Sequence, residues 1–196
     1  MKRTELILVI LATTGVILKI ALIPGGGALM TISLLTLSTL YLCLSFALFN
    51  DLKIKKIIKK SSYQTLSSLK LFGSVGTGVA LSTMAFGSLC KMQFWSGAKL
   101  RLELGLISGL IVLVFGIIKF QETRLKYYKN ILIRIFIWGF VSLSIFLFPS
   151  KTFFRIFHRN QPEYVKAVLD SWDKPNDKDL QEKARNERSK YYNEGK

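Results

Sequence analysis

The fold is decided by a short pattern that the chain contains twice, first as GVILKIALIPGGGAL at residues 15–29 and again as GSLCKMQFWSGAKL at residues 87–100. The two stretches align at an offset of 72 residues. In both, a glycine inside an apolar run precedes a lysine, and the lysine precedes a glycine in a turn. The matched pairs are Gly15 with Gly87, Lys19 with Lys91, and Gly25 with Gly97. The pattern predicts two helical hairpins of one design.

Five apolar runs surround these turns, and each approaches the length of a membrane-spanning helix. A helix rises ~1.5 Å per residue, so crossing a ~30 Å hydrocarbon core takes about 20 apolar residues. The runs cover residues 6–23, 28–49, 70–90, 102–120 and 131–148. We therefore expect an all-α fold, a polytopic membrane helical bundle of two hairpins and a fifth transmembrane helix, followed by a short helical tail.

The two hairpins are expected to be a duplication. Two crossings separate equivalent positions, so both hairpins run the same way through the membrane, as in a parallel repeat about the membrane normal. The predicted organisation is a first transmembrane hairpin (1–50), a basic cytoplasmic juxtamembrane linker (51–69), a second hairpin (70–120), a basic loop with the fifth transmembrane helix (121–149) and a polar helical tail (150–196).

The first run also has the basic start that is typical of a signal peptide. No small-residue cleavage site follows it, however, and the second run begins after the four turn residues 24–27. We expect the first run to be retained as a span.

The tail carries the signals of an amphipathic helix. Asn160 is the expected N-cap, Pro162 suits the first turn and Pro175 ends the helix. Residues 177–192 either form a second, mostly polar helix or remain disordered. One apolar stripe at i, i+3, i+4 and i+7 predicts docking against the membrane surface, the protein's own loops or a partner: Val165, Val168, Leu169 and Trp172.

Charge and composition favour a membrane protein over a nucleic-acid-binding protein. Half of the residues are hydrophobic and the formal net charge is +16. The lysines lie beside apolar runs and no nucleic-acid motif occurs, so anionic lipid is the expected partner. Cys43 and Cys90 lie inside apolar runs without metal-ligand spacing, and no metal or cofactor is expected. The linker lysines are predicted to contact headgroups of the inner leaflet: Lys53, Lys55, Lys56, Lys59 and Lys60.

Lysine and arginine counts near the span ends orient the bundle, since cytoplasmic loops carry the excess. With the N-terminus inside, twelve basic residues are cytoplasmic and seven lie on the other side. We therefore expect a cytoplasmic N-terminus. Arg134 interrupts the fifth run and a basic stretch follows it. That run either crosses the membrane or lies in the interface, so the side that holds the tail stays open.

Two interpretations fit Lys19 and Lys91, which lie near the outer ends of their runs. In the first, the aliphatic stem lies along lipid and the ammonium reaches the headgroups. In the second, Lys91 forms an ion pair with Glu103 at the start of the fourth run. Lys19 then shares this carboxylate if the hairpins pack together.

Small residues predict close helix packing. Gly105 and Gly109 form a GxxxG step, and Gly73 and Gly76 belong to another small-residue face. Gly15 and Gly87 lie within their helices, where a missing side chain lets a neighbouring helix approach closely.

The stretch GSLCKMQFWSGAKLRLELGL (87–106) resembles the membrane hairpin of GldL, the gliding-motility and type IX secretion proteins of Bacteroidota. The resemblance implies a hairpin fold and a bacterial lineage, and we expect the protein in the bacterial inner membrane. It does not imply motor activity, because the family's acidic residue within the second helix has no counterpart in residues 104–115 or 33–42, and Glu103 lies too near the turn. The matching residues are Gly87, Lys91, Trp95, Gly97 and Gly105 in the second hairpin, and Gly15, Lys19, Pro24, Gly25 and Gly26 in the first.

These features predict a scaffold or accessory subunit of a membrane complex, with a membrane-protein partner or a second copy of itself. No enzyme is expected, because the runs contain no acid–base set, nucleophile constellation or metal cluster. The alternative is a small transporter or channel-type protein in which Lys19, Lys91 and Glu103 line a polar path.

Overall fold

The computed structural model describes residues 2–49 and 68–194, and these form eight helices. Five long helices make a bundle and three shorter ones cover one of its ends. The bounds are α1 Lys2–Ile20, α2 Gly26–Phe49, α3 Ser68–Met92, α4 Ala98–Thr123, α5 Lys126–Leu147, α6 Ser150–Phe157, α7 Pro162–Asp173 and α8 Lys178–Glu194.

Four of these helices, α2 to α5, are long and apolar enough to cross a membrane. The all-α fold class is thereby confirmed, and the chain has the composition of a membrane protein. The helix α1 carries four charged residues within its 19 and is not one of the four. The linker lysines predicted to contact headgroups lie outside the described residues.

The first turn (residues 21–25) and the second turn (93–97) have the same backbone geometry. Each follows a Schellman motif, in which a 6→1 hydrogen bond closes the helix end. In the first turn Ile23 N donates to Leu18 O at 2.9 Å. In the second, Trp95 N donates to Cys90 O at 2.8 Å. The two donor residues are 72 positions apart, and so are the two acceptor residues. This is the offset of the sequence pattern.

The residue that closes each motif is not a glycine, although glycine is usual there. Leu22 has φ 60° and Phe94 has φ 57°. This left-handed conformation costs an L-residue roughly 1–2 kcal/mol, so contacts elsewhere must compensate. Gly25 and Gly97 follow with φ 87° and 72°, which glycine adopts without strain. Their predicted role as turn glycines is confirmed.

The helices α2 and α3 form the centre of the bundle. α2 packs against α1 and α3, and α3 packs against α2, α4 and α5. Half of the span residues of α2 and 56 % of those of α3 are buried, against 22 % in α4 and 17 % in α5. The outer helices therefore direct most of their apolar side chains away from the bundle.

The helix α5 lies parallel to α3 along its length. Near the start of both helices, Tyr127 Oη donates to Lys70 O at 2.8 Å. At their far ends, Lys91 Nζ donates to Phe146 O at 2.7 Å. Consequently α5 ends beside the second turn, and the tail follows from there.

Glycines allow the helices within each hairpin to approach closely. A Cβ on Gly15 would lie 2.5 Å from Met30 N, and one on Gly87 would lie 3.0 Å from Leu102 N. Met30 and Leu102 are themselves 72 residues apart. The expectation that these two glycines admit a neighbouring helix is confirmed.

The other packing glycines differ in their surroundings. A Cβ on Gly105 would lie 2.9 Å from Met84 N, and one on Gly109 would overlap the Met84 side chain. A Cβ on Gly73 would lie in ordinary contact with the Tyr127 hydroxyl at 3.4 Å, whereas a Cβ on Gly76 would meet no atom of another helix within 4 Å. The expected small-residue face at Gly76 therefore meets no helix among the described residues.

The three tail helices lie at the end of the bundle that holds both turns. Arg159 Nη1 donates to Ile20 O at 3.0 Å, which joins the tail to the end of α1. α7 begins at Pro162 with Gln161 as its N-cap, so the predicted cap at Asn160 is wrong by one residue. Of the predicted stripe, Leu169 is buried and Trp172 packs against Phe154 with ring centroids 5.1 Å apart. The stripe docks on the protein's own elements.

The close approach at Gly15 gives a direct test of the hairpin packing. Gly15→Ala will lower the thermal unfolding midpoint of the protein in mild detergent, because its Cβ would collide with the α2 backbone. Overpacking of this kind costs about 1–3 kcal/mol. Gly76→Ala is the matched control, since it adds the same atom to open space and improves helix propensity. Equal midpoints for the two variants would contradict the packing.

Candidate functional site

A buried ion pair joins α1 to α5 at the end of the bundle opposite the turns. Arg134 Nε donates to Glu5 Oε1 and Arg134 Nη2 to Glu5 Oε2, each at 2.7 Å. The side chains are 18 % and 11 % exposed. A bidentate pair is the strongest geometry for this interaction. The ion pair with Glu5 allows the Arg134 guanidinium to remain within the otherwise apolar helix α5.

Two aromatic side chains complete this cluster. Tyr41 Oη on α2 donates to Glu5 Oε1 at 2.9 Å, and Trp138 Nε1 on α5 donates to Tyr41 Oη at 3.0 Å. One carboxylate therefore connects three helices. The sequence pattern indicates Arg134 only as a charge that interrupts the fifth apolar run, and it predicts no role for Glu5. The available signal was an arginine in one apolar run and an acid at the edge of another.

Lys19 lies in the last turn of α1 and reaches across to the end of α3. Its ammonium donates to Met92 O at 2.8 Å and to Gln93 Oε1 at 3.1 Å. It also lies 4.5 Å from the ring centroid of Phe157 in the tail, a distance typical of a cation–π contact. The Lys19 side chain thus holds α3 and α6 together rather than extending to headgroups alone.

Lys91 makes the equivalent contact between α3 and α5. It lies in the last turn of α3 and donates to Phe146 O near the end of α5, with the ammonium 5.5 Å from the Phe146 ring centroid. The last carbonyls of a helix lack partners within the helix and carry the negative end of its dipole. In both cases, therefore, a lysine of one helix satisfies a terminal carbonyl of the next parallel helix.

Glu103 does not join the lysines. Its nearest cation is Lys99, one turn earlier on α4, with Nζ and Oε1 3.8 Å apart and side chains 82 % and 39 % exposed. The second interpretation of the lysines, in which Lys91 pairs with Glu103 and Lys19 shares its carboxylate, is therefore wrong. The carbonyl of Phe146 takes the Lys91 ammonium instead, because α5 ends beside the second turn.

A cleft of about 940 Å³ opens where the two turns and the tail helices meet. Lys19 and Gln93 lie in its wall on the bundle side, and Arg185 and Arg188 of α8 line the side towards the tail. Between them are aromatic side chains: Phe94, Trp95, Phe154, Phe157, Tyr164 and Trp172. The cleft is therefore cationic and aromatic at once.

His158 lines this cleft and stacks on Phe154 with ring centroids 4.4 Å apart. Burial lowers the pKa of His158 below its usual 6.5, the backbone carbonyl of Phe154 opposes this, and the Lys19 ammonium lowers it further. The folded tail thus favours the neutral imidazole. The neutral imidazole therefore contributes stability that is fully present above the unfolded-state pKa of 6.5 and is lost as the pH falls through the lower folded-state pKa of His158.

Throughout residues 2–49 and 68–194 no group of three His, Cys, Asp or Glu side chains is placed to bind a metal ion. The described residues form an all-helical bundle with four helices long and apolar enough to span a membrane, and Glu5, Lys19, Lys91 and Arg134 contact other parts of the same chain. No protein-family model, curated protein or solved structure matches the chain.

The buried pair predicts strong coupling between α1 and α5. Glu5→Gln and Arg134→Met should each destabilise the protein by about 3–5 kcal/mol, because each leaves a buried partner uncompensated. The double variant should lose less than the sum of the two. Unfolding in a denaturing detergent titration measures this cycle.

The matched control is the same cycle on Lys99 and Glu103, an exposed pair on α4. Exposed pairs contribute about 0–1 kcal/mol, so little coupling is expected there. Additive losses for Glu5 and Arg134 would contradict the structural role of their ion pair.

Proposed function

We propose that this chain is an integral-membrane scaffold, an accessory subunit of a membrane complex without catalytic chemistry of its own. The observation that carries the proposal is the use of its intramembrane charges. Lys19, Lys91, Glu5 and Arg134 all make contacts that join one helix to another. Such charges are expensive in a membrane and usually mark function. Here their contacts are those of a rigid framework.

Buried serine side chains between the helices have the same use, one pair near mid-bundle and one closer to the turn end. Ser38 and Ser82 place their hydroxyl oxygens 2.8 Å apart across α2 and α3. Ser88 and Ser142 do so at 3.3 Å across α3 and α5. A transport path needs polar groups that face a solute near the midplane. Hydroxyls paired between helices favour the scaffold instead.

The transporter alternative requires Lys19, Lys91 and Glu103 to line one path. Glu103 lies on the exposed side of α4 beside Lys99. The two lysines reach carbonyls of different helices, Met92 O and Phe146 O. These positions do not favour the alternative.

The proposed arrangement has five crossings, with α1 and α5 included, and a duplicated hairpin of the kind seen in GldL. The Schellman motifs and the turn glycines support the duplication, because both recur at one offset of 72 residues. The proposed location is a bacterial inner membrane with the N-terminus in the cytoplasm. The tail then lies on the opposite side, together with both turns.

The assembly surface is proposed to be the outward face of α4 and α5. These helices bury the smallest share of their span residues among the four candidate spans. Large side chains there are more than half exposed: Leu104, Ile107, Ile111 and Phe115 on α4, and Phe136, Phe140 and Leu147 on α5. Lipid or a membrane-protein partner, including a second copy, would cover them.

Photo-crosslinking tests this surface. A benzophenone amino acid replaces Phe115 or Phe140, which are 65 % and 67 % exposed, and irradiation is done in native membranes. We expect a discrete protein adduct from both sites, because a scaffold has a fixed neighbour. Phe154, 4 % exposed, is the control and should give only products within the chain. Lipid adducts alone from both outward sites, with a monomer in native mass spectrometry, would contradict the scaffold.

A further inference from the structure

The cleft at the turn end of the bundle contains a buried polar atom that the packing of the chain does not satisfy. Gln161 Oε1 lies in the cleft wall, is shielded from solvent and has no hydrogen-bond partner within the described chain. Gln161 is the N-cap residue of α7, but its side chain makes no capping hydrogen bond. A buried acceptor that lacks a donor costs free energy, so such a group needs an explanation. A ligand that donates a hydrogen bond within the cleft supplies one.

The chemistry of this ligand follows from the amide. A glutamine amide carries an acceptor oxygen on one side and a donor nitrogen on the other. A hydroxyl group both donates and accepts, so it pairs with whichever side of the amide faces it. An acyl chain pairs with neither. The buried end of Gln161 therefore favours a ligand that carries hydroxyl groups.

Two indole rings line the same cleft and remain accessible. Trp95 of the second turn is 44 % exposed, and Trp172 of α7 is 38 % exposed. Trp172 packs on Phe94 and Phe154, with ring centroids 5.9 and 5.1 Å away. Within the described chain, neither indole N–H makes a hydrogen bond. Each indole thus offers an apolar face and a donor at its edge.

A second amide and a guanidinium lie at the opening of the cleft. Asn160 directly precedes Gln161, and Arg185 belongs to α8; both side chains are exposed and line the cleft. Lys19, by contrast, already donates to the end of α3 and to the second turn. The groups that a ligand can reach are therefore planar donors and acceptors with aromatic faces between them.

We propose that this cleft binds the pyranose rings of a neutral oligosaccharide. A pyranose carries C–H groups on its ring faces and hydroxyl groups around its edge. The C–H groups pack on the electron-rich faces of Trp95 and Trp172. The hydroxyl groups pair with the amides of Gln161 and Asn160 and with the Arg185 guanidinium. A cleft of about 940 Å³ is large for a ligand site, and two indoles on separate elements suit an occupant of more than one ring.

The cellular role of this binding rests on the proposed function. In the proposed arrangement, the turns and the tail lie on the side of the membrane opposite the cytoplasm, where the polysaccharides of a cell envelope are found. A scaffold that holds such a chain in its tail is fixed to the envelope as well as to the membrane. The binding itself does not depend on that arrangement and is tested on the purified full-length protein.

A glycan array tests the binding. The protein is solubilised in a polyoxyethylene detergent, because maltoside detergents carry sugars themselves, and is applied to immobilised neutral and acidic oligosaccharides. We expect saturable binding to neutral oligosaccharides that persists at high salt, because exposed charges are screened there and the proposed contacts are not ionic. Binding to no glycan, or only to acidic glycans and only at low salt, would overturn the proposal.

Titration calorimetry distinguishes the two sources of such a sugar. The trisaccharide that binds best on the array is compared with the same trisaccharide linked to a dodecyl chain. Equal affinities are expected for a polysaccharide. Binding of the dodecyl glycoside that is tighter by about tenfold or more would overturn the polysaccharide, because buried methylenes would then contribute and the site would serve a glycolipid headgroup.

Gln161→Leu distinguishes a ligand contact from a structural contact. It should raise the thermal unfolding midpoint of the free protein, because it removes a buried acceptor without a partner. It should also weaken binding of the trisaccharide about fivefold or more, because a sugar hydroxyl loses its partner. A structural residue would lower stability and affinity together. Unchanged affinity in this variant would overturn the role given to Gln161.

Trp95→Ala locates the sugar in the cleft. It should weaken binding about fivefold or more, because one ring of the sugar loses its aromatic face. Phe72→Ala is the matched control, since it removes a 75 % exposed aromatic side chain near the start of α3, outside the cleft. The control should leave the affinity unchanged. Equal losses in the two variants would overturn the placement of the sugar in this cleft.

Discussion

The terminal carbonyls of parallel helices are the constraint on which this structure depends. A helix end leaves its last carbonyls without partners within the helix. Here a lysine ammonium from the preceding parallel helix donates a hydrogen bond to such a carbonyl, to Met92 O at the end of α3 and to Phe146 O near the end of α5. One contact thus stabilises a charge and a helix end together. It also sets the relative depth of α1, α3 and α5.

The glycines help to align the helix ends because they allow the backbones of neighbouring helices to approach closely. Without side chains at Gly15 and Gly87, the backbones of each hairpin come close enough for the helix ends to stay in register. The Schellman motifs then reverse the chain within a few residues. Phe94 in its left-handed conformation places its ring against Phe154 and Trp172 of the tail. The second turn therefore contributes to the cleft as well as to the hairpin.

Much of this could be predicted from the sequence, because run length, turn glycines and lysine spacing are local properties. The partners of the charges could not. The sequence places Lys91 and Glu103 at similar distances from the second turn. Glu103, however, lies on the outward side of α4, and the Lys91 ammonium binds the carbonyl of Phe146 instead. The Glu5–Arg134 pair joins residues 129 positions apart, and only the packing of α5 beside α1 and α2 brings them together. The docking of the tail likewise depends on where α5 ends.

We propose that both turns and the tail share one side of a membrane that the five long helices cross. Single cysteines at Pro24, Ser96, Asn176 and Thr123, in a chain with Cys43 and Cys90 replaced by alanine, test it with a membrane-impermeant maleimide on intact cells and on opened membranes. The account predicts that the first three positions react from the outside and that Thr123 reacts only after opening. Labelling of Pro24 and Ser96 from opposite sides, or of Asn176 together with Thr123, would contradict it.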